Sequence, residues 1–224
     1  MATGGSIESR SHDRADPYGS DLFTEARGDP RTLAHLGPLA PMAGVFEGAE
    51  GVDVHPAAGG AERDAYVERY ELQPVDRQTN GPQLFYGLRY HTHIVRPREI
   101  ETFHDQVGHW LWEPARRLIT FTLSVPRGQA ALATGHAEPD ATEFEVSAHR
   151  GSPINGILSN EFLERAFRTV SFTMRVRIGS GDTWSYTQET VLEVEGVGEP
   201  FSHTDENTLV RVASPSPNPM AAAS

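Results

Sequence analysis

Apolar residues recur at every second position through most of the chain. This alternation predicts strands that turn one face to a core and the other to water. From Leu118 to Val125 the apolar set is Ile119, Phe121, Leu123 and Val125, with Thr120, Thr122 and Ser124 between them. Between Ala166 and Ile178 the set Val170, Phe172, Met174, Val176 and Ile178 alternates with Thr169, Ser171, Thr173, Arg175 and Arg177. The turn segment GSGD then leads into Trp184–Val194, which reads as a hairpin. Further strands are predicted over Asp64–Gln73, Leu84–Val95, Phe103–Trp112, Gln129–Gly135, Phe144–Ala148 and Thr204–Val212, with a short pair around Gly44–Val54. Helical periodicity is confined to Thr32–Leu39 and Ile157–Phe167.

The expected fold is all-β: an antiparallel up-and-down barrel of about ten strands with one or two short helices. Strands amphipathic on one side only suit a single enclosed interior. Closure with about ten strands leaves more room than side chains fill, so an internal ligand cavity follows. Residues 31–213 make up this domain. Residues 1–30 lack apolar periodicity and residues 214–224 carry alternating proline, so both are expected to be flexible tails.

Composition narrows the chemistry. The 224 residues carry 31 acidic and 19 basic side chains, a formal net charge of −12. That balance disfavours nucleic acid and anionic membrane surfaces as partners. Every basic residue is an arginine, which excludes lysine Schiff-base chemistry and a P-loop lysine. The absence of cysteine removes disulfides, thiolate nucleophiles and cysteine-ligated zinc or iron–sulfur centres. No apolar run approaches the roughly 18 residues of a membrane helix, and the first residues lack the apolar stretch of a secretory leader. A cytoplasmic monomer or homodimer with a small-molecule partner is the expectation.

Ten histidines stand in the chain, and histidine is both the commonest metal ligand and the acid–base group that works near neutral pH. His91 and His93 share one strand face, the spacing by which a jelly-roll cupin holds iron, manganese or zinc. The opposite face carries Leu84, Tyr86, Leu88, Tyr90 and Ile94, so alternation turns both imidazoles to solvent. On Phe103–Trp112 the inner face is either that of Phe103, Val107 and Leu111 or that of Trp110 and Trp112. In the second case His104 and Gln106 enter the cavity. Glu68 shares the face of Tyr66, Tyr70 and Leu72, so its carboxyl group is expected inside, with Arg168 as a candidate partner. Serine-hydrolase, zincin, dinucleotide and EF-hand motifs do not occur. The glycines of GVFEGAEG are expected to allow close strand approach at a barrel corner.

Several of these segments carry a family likeness. LAPMAGVFEG over 39–48, followed by Gly51 and Pro56, resembles the nitrobindin opening, a short helix and then G-x-W-x-G-x-G-x-G-x-Y-P, with Phe46 in the tryptophan's place. FHDQVGHW over 103–110 looks like the family's strand L-H-x-E-x-G-[YF]-[WFL], and VPRG over 125–128 sits where the family has its x-x-[ST]-G turn. PFSH over 200–203 is similar to the P-L-x-x-H-L that begins the final strand. The likeness spans about residues 33–212, in the right order. Beside a longer bacterial branch of heme-binding barrels, which the contexts after His203 and Trp110 also resemble, stand the nitrobindins and the related heme domains of THAP-type proteins, antiparallel barrels resembling fatty-acid-binding proteins. They hold ferric heme b through one histidine, bind nitric oxide and are credited with isomerising peroxynitrite to nitrate. The resemblance implies heme b with its iron as cofactor, His203 as the metal ligand, and His104 as the distal-side and catalytic histidine. It also implies Gln106, Trp110 and Phe46 as cofactor contacts. Two other readings stay open: a non-catalytic lipocalin-like carrier of a small hydrophobic ligand, and a cupin-type metal enzyme using His91 and His93.

Overall fold

The computed structural model describes residues 28–219 and 221. Eleven strands close into one barrel: β1 (Gly44–Ala57), β2 (Gly60–Asn80), β3 (Gln83–Val95), β4 (Thr102–Glu113), β5 (Leu118–Val125), β6 (Gln129–His136), β7 (Glu143–Arg150), β8 (Gly156–Ser159), β9 (Phe167–Ile178), β10 (Thr183–Val194) and β11 (Phe201–Ala213). Their order around the barrel is β1-β11-β10-β9-β7-β8-β6-β5-β4-β3-β2. Neighbours run antiparallel except β7 and β8, which are parallel. The all-β barrel expected from alternation is therefore present, with one strand more.

That extra strand, β8, lies where helical periodicity predicts a helix. Ile157 is buried and Leu158 exposed, the two-residue alternation of a strand. Only Glu161–Ala166 is α-helical (α1), started by Asn160, whose Oδ1 accepts from the Leu163 N–H at 2.9 Å. The short pair expected around Gly44–Val54 is a single strand, β1, whose register with β2 shifts between Gly48 and Gly51. A Cβ at Gly51 would lie 2.1 Å from the Tyr66 ring, and one at Gly48 would lie 2.5 Å from the Asn207 amide. These glycines make room for side chains lying across the strand, not for a second backbone.

One end of the barrel is stoppered. The segment expected to be helical begins as two 3-10 helices, Thr32–His35 and Gly37–Met42, the second carrying Pro38 and Pro41. Proline lacks the N–H that a longer α-helix would need. Leu36, Leu39 and Met42 from this segment are fully buried in one cluster with Phe46, Trp112, Trp184 and Leu209. Trp110 stacks on Phe121 with ring centroids 4.0 Å apart, and Trp184 meets Tyr70 edge-on at 5.2 Å. The tryptophan face of β4 is thus the inner one, while Val107 is 46% exposed. Buried rings of this size each remove roughly 150–250 Å² from water, about 4–6 kcal/mol of transfer free energy before ordering entropy.

Beyond β11 the chain returns along β2. The Ser216 N–H donates to Gln73 Oε1 at 2.7 Å and Asn218 Nδ2 donates to Asp76 Oδ2 at 2.8 Å, so the segment expected as a tail is tied at these two points. The tail expected over 1–30 lies, up to residue 27, outside the described residues. Among the described residues no helix is long and apolar enough to cross a membrane.

Candidate functional site

At the end opposite the stopper the interior is open, forming a cavity of about 610 Å³. Its lining divides by strand. Asp53 on β1, Tyr66 and Glu68 on β2, Thr92 on β3 and His104 and Gln106 on β4 line one side, continued by Gln188 on β10 and by His203 and Asp205 on β11. Phe121 and Leu123 on β5, Ile157 on β8, Leu163 on α1 and Phe172 and Met174 on β9 line the other. The strand order makes each set contiguous, so the carboxyl and imidazole groups stand on one side and face a mainly apolar one that also holds Arg127, Gln129 and Thr169.

The upper part of the polar wall is built by β1 against β11. Asp53 and Asp205 are direct cross-strand partners, and His203 precedes Asp205 by two residues on the same face. His203 Nε2 lies 2.6 Å from Asp53 Oδ1 and 3.7 Å from Asp205 Oδ2. The other Asp53 oxygen is 2.5 Å from His55 Nδ1, and Gln188 Nε2 donates to Asp205 Oδ2 at 3.0 Å. Asp53, His203 and Asp205 each offer a donor atom within 4.8 Å of one another, a mixed nitrogen and oxygen set of the kind that holds divalent metals.

Charge is shared unevenly in this group. Burial pushes the Asp53 carboxyl group up, but its bonds to His203, Asp205 and His55 outweigh this and hold it down at about 2. Burial raises Asp205, reinforced by the neighbouring Asp53, and it stands at about 8. Burial works against a charged His203, yet the two carboxyl groups beside it leave its pKa raised. Near neutral pH Asp53 is therefore ionised and Asp205 largely holds its proton, while the carboxyl groups pull His203 toward its charged form.

Deeper in the wall, Glu68 is buried. It accepts from Thr92 Oγ1 at 2.7 Å, from the Tyr186 hydroxyl at 2.8 Å and from Asn207 Nδ2 at 3.0 Å. The Tyr186 and Tyr66 oxygens are 2.8 Å apart, which extends the network along the cavity. Burial raises the Glu68 pKa against these three donors. On β4, His104 Nε2 is 3.4 Å from Gln106 Oε1, and Gln106 Nε2 donates to the Tyr90 hydroxyl at 2.7 Å. Burial holds the His104 pKa below its usual value, so this imidazole is neutral.

Of the residues singled out in the sequence, His203, His104 and Gln106 line the cavity together. Trp110 and Phe46 do not line it: both are fully buried below, in the aromatic floor. The cupin pairing is overturned, because His91 and His93 lie outside the barrel, bonded to Asp105 at 2.8 Å and Thr102 at 2.9 Å, while Thr92 between them faces in. Arg168 is not the partner of Glu68; its side chain meets Glu164 and Glu193 at the surface. Asp53, Asp205, Tyr186 and Asn207 were not singled out. The two-residue series His203, Asp205, Asn207, Leu209, polar at the mouth and apolar at the floor, was the available signal for two of them.

The solved structure of Rv2717c from M. tuberculosis is similar, with a TM-score of 0.54 and 19% identity over 79% of this chain and 96% of that one. At that identity the likeness shows a shared fold. No curated protein matches the chain. The model of the THAP4-like, heme-binding beta-barrel domain matches residues 35–211, nearly the whole barrel. The chain belongs to this THAP4-like family of heme-binding β-barrels.

Proposed function

We propose that the cavity holds heme b, with His203 as the residue that would hold its iron, and that the loaded barrel binds nitric oxide and isomerises peroxynitrite to nitrate. One observation carries this reading: a histidine on the last strand lines the cavity with one ring nitrogen clasped by a carboxylate, Nε2 to Asp53 at 2.6 Å. Metal-binding histidines characteristically give their second nitrogen to such a carboxylate, which fixes the ring and raises its basicity. In the neutral ring Asp53 takes the Nε2–H, leaving the Nδ1 lone pair for a metal. The apolar wall of Phe121, Leu123, Phe172 and Met174 suits the faces of a flat macrocycle and excludes water. Arg127, the one arginine lining the cavity among the described residues, is the residue to take a propionate.

When bound, heme supplies an iron centre with an open position for a diatomic molecule or an oxidant. The chain's own groups do the rest. Asp53 orients His203. His104, neutral through burial, has one N–H, held weakly by Gln106 Oε1 at 3.4 Å, and this N–H would turn from Gln106 to negative charge developing in the cavity. Trp110 acts through Phe121, on which it stacks and which lines the cavity, while Phe46 packs on Trp184 in the floor. Absorption spectra of hemin-reconstituted protein test the reading. A Soret band that shifts with nitric oxide and is lost in His203→Ala is expected; free-hemin spectra in both proteins overturn heme ligation. Peroxynitrite decay followed by stopped flow, with nitrate as product and slower turnover in His104→Ala, tests the chemistry.

A further inference from the structure

Tyr186 stands where the cavity meets the aromatic floor. It lines the cavity and is 6% exposed. Its hydroxyl donates to Glu68 Oε2 at 2.8 Å, and the Tyr66 oxygen is 2.8 Å from that of Tyr186. Thr92 and Asn207 also donate to Glu68, so three neighbours aim hydrogens at its two oxygens, as donors do around an ionised carboxyl group. The other tyrosines of the lining are placed differently. Tyr66 meets the Tyr186 hydroxyl and the Glu206 carbonyl, while Tyr70 accepts from the Trp110 indole N–H. Among the described residues, Tyr186 is the one tyrosine whose O–H ends on a carboxyl group.

That contact matters for electron transfer. A phenol gives up an electron readily only if its proton leaves with it, because a phenol cation in a dry wall is an unpaired buried charge. Glu68 receives the proton along a hydrogen bond already made. Burial raises the Glu68 pKa, so its carboxylate takes a proton more readily than an exposed one. Tyr66 is in place to donate to the phenoxyl oxygen left behind. Trp184 lies 5.9 Å from Tyr186 between ring centroids, but its indole N–H meets no acceptor among the described residues. Its proton has nowhere to go, so the oxidation stops at Tyr186. The chain has no cysteine to compete as donor.

We propose that the barrel has a second activity, the one-electron reduction of a small neutral radical of the nitrogen dioxide class, with Tyr186 as electron donor and Glu68 as proton acceptor. Nitrogen dioxide is the neutral fragment released when the O–O bond of peroxynitrite breaks, and it enters an apolar cavity without losing hydration. It gains one electron and leaves as nitrite. Tyr186 loses one electron and its O–H bond, becoming a neutral phenoxyl radical, and the proton bonds to Glu68 Oε2. One carboxylate is replaced by one nitrite, so charge balances. Each chain supplies one electron in this way. The inference rests on the cavity admitting the oxidant and does not require heme.

Pulse radiolysis of nitrate solutions generates nitrogen dioxide and tests the step on the heme-free protein. All proteins carry Tyr18→Phe, which removes the tyrosine outside the described residues. Transient absorption is expected to show a tyrosyl radical that is lost in Tyr186→Phe. In Glu68→Gln it is expected to form at least about tenfold more slowly, the equivalent of roughly 1.4 kcal/mol in the barrier. Melts followed by circular dichroism identify the variants that remain folded. Two measurements leave Tyr186 and Glu68 intact. Radical formation is expected to slow in heavy water, because the proton moves with the electron. After excess nitrogen dioxide, peptide mass spectrometry is expected to find 3-nitrotyrosine at Tyr186, the product of a second nitrogen dioxide adding to the phenoxyl ring. An unchanged radical in folded Tyr186→Phe or Glu68→Gln, equal rates in light and heavy water, or nitration confined to other tyrosines each overturns the proposal. A barrel that meets these expectations yet gives no His203-dependent Soret band keeps the electron donor and loses heme. One that gives the band without a Tyr186 radical does the reverse.

Discussion

His203 and Asp53 are 150 positions apart in the chain and meet across the β1–β11 ladder, Nε2 to Oδ1 at 2.6 Å. Asp53 is 3% exposed and also holds His55, so it cannot swing away without breaking both contacts. Asp53→Asn keeps the size of the side chain and removes the carboxylate. Hemin is expected to leave this variant about 10–100-fold faster than the wild type, the usual consequence of losing a ligand's supporting carboxylate. Transfer of hemin to excess apomyoglobin measures the rate, and an unchanged rate would remove Asp53 from the site.

His104 gives a prediction for acid. Burial lowers its folded-state pKa below the unfolded value of 6.5. The folded state therefore binds this proton less readily than the unfolded one. The stability associated with neutral His104 is complete above 6.5 and is lost as pH falls through the lower folded value. His104→Gln has no proton to gain there. Its melting temperature is expected to fall less steeply than that of the wild type on acidification below 6.5; parallel curves would show that His104 is not the group responsible.

Trp110 is fully buried, stacks on Phe121 at 4.0 Å and donates its indole N–H to the Tyr70 hydroxyl at 3.3 Å. Trp110→Ala is expected to cost about 3–5 kcal/mol, from lost transfer free energy and the void left behind. Urea unfolding reads this directly. A loss below about 1 kcal/mol would mean that the aromatic floor is not tightly packed.

Gly51 lies under the Tyr66 ring, where a Cβ would stand 2.1 Å from the nearest ring carbon. Gly51→Ala forces the ring aside and breaks the 2.8 Å approach of Tyr66 to Tyr186, at an expected cost of about 1–3 kcal/mol. In a double-mutant cycle, Tyr66→Leu is expected to cost less on the Gly51→Ala background than alone. Additive effects would separate the glycine from the tyrosine.

Alternation made the barrel legible because it reports which face of a strand is buried, and it served well at β5, β9 and β10. It turned His91 and His93 outward correctly, and the two tryptophans of β4 needed only the choice of face. What alternation does not carry is height along the barrel axis. Phe46, Trp110, His104 and His203 all point inward, but two lie in the floor and two at the cavity, a difference set by strand tilt and stagger. The Asp53–Asp205 pairing was hidden for a related reason: it depends on the register of the first strand against the last. Short β8 was mistaken for helix because four residues carry too little periodicity to oppose the helical run of α1 beside it.

The plug formed by Leu36, Leu39 and Met42 shuts one end of the barrel, so among the described residues the cavity is reached from the other end. Arrival and departure must then use the same route, so a retained guest blocks the next one and exchange proceeds strictly in turn. Residence time, more than affinity, sets how often such a container can be refilled.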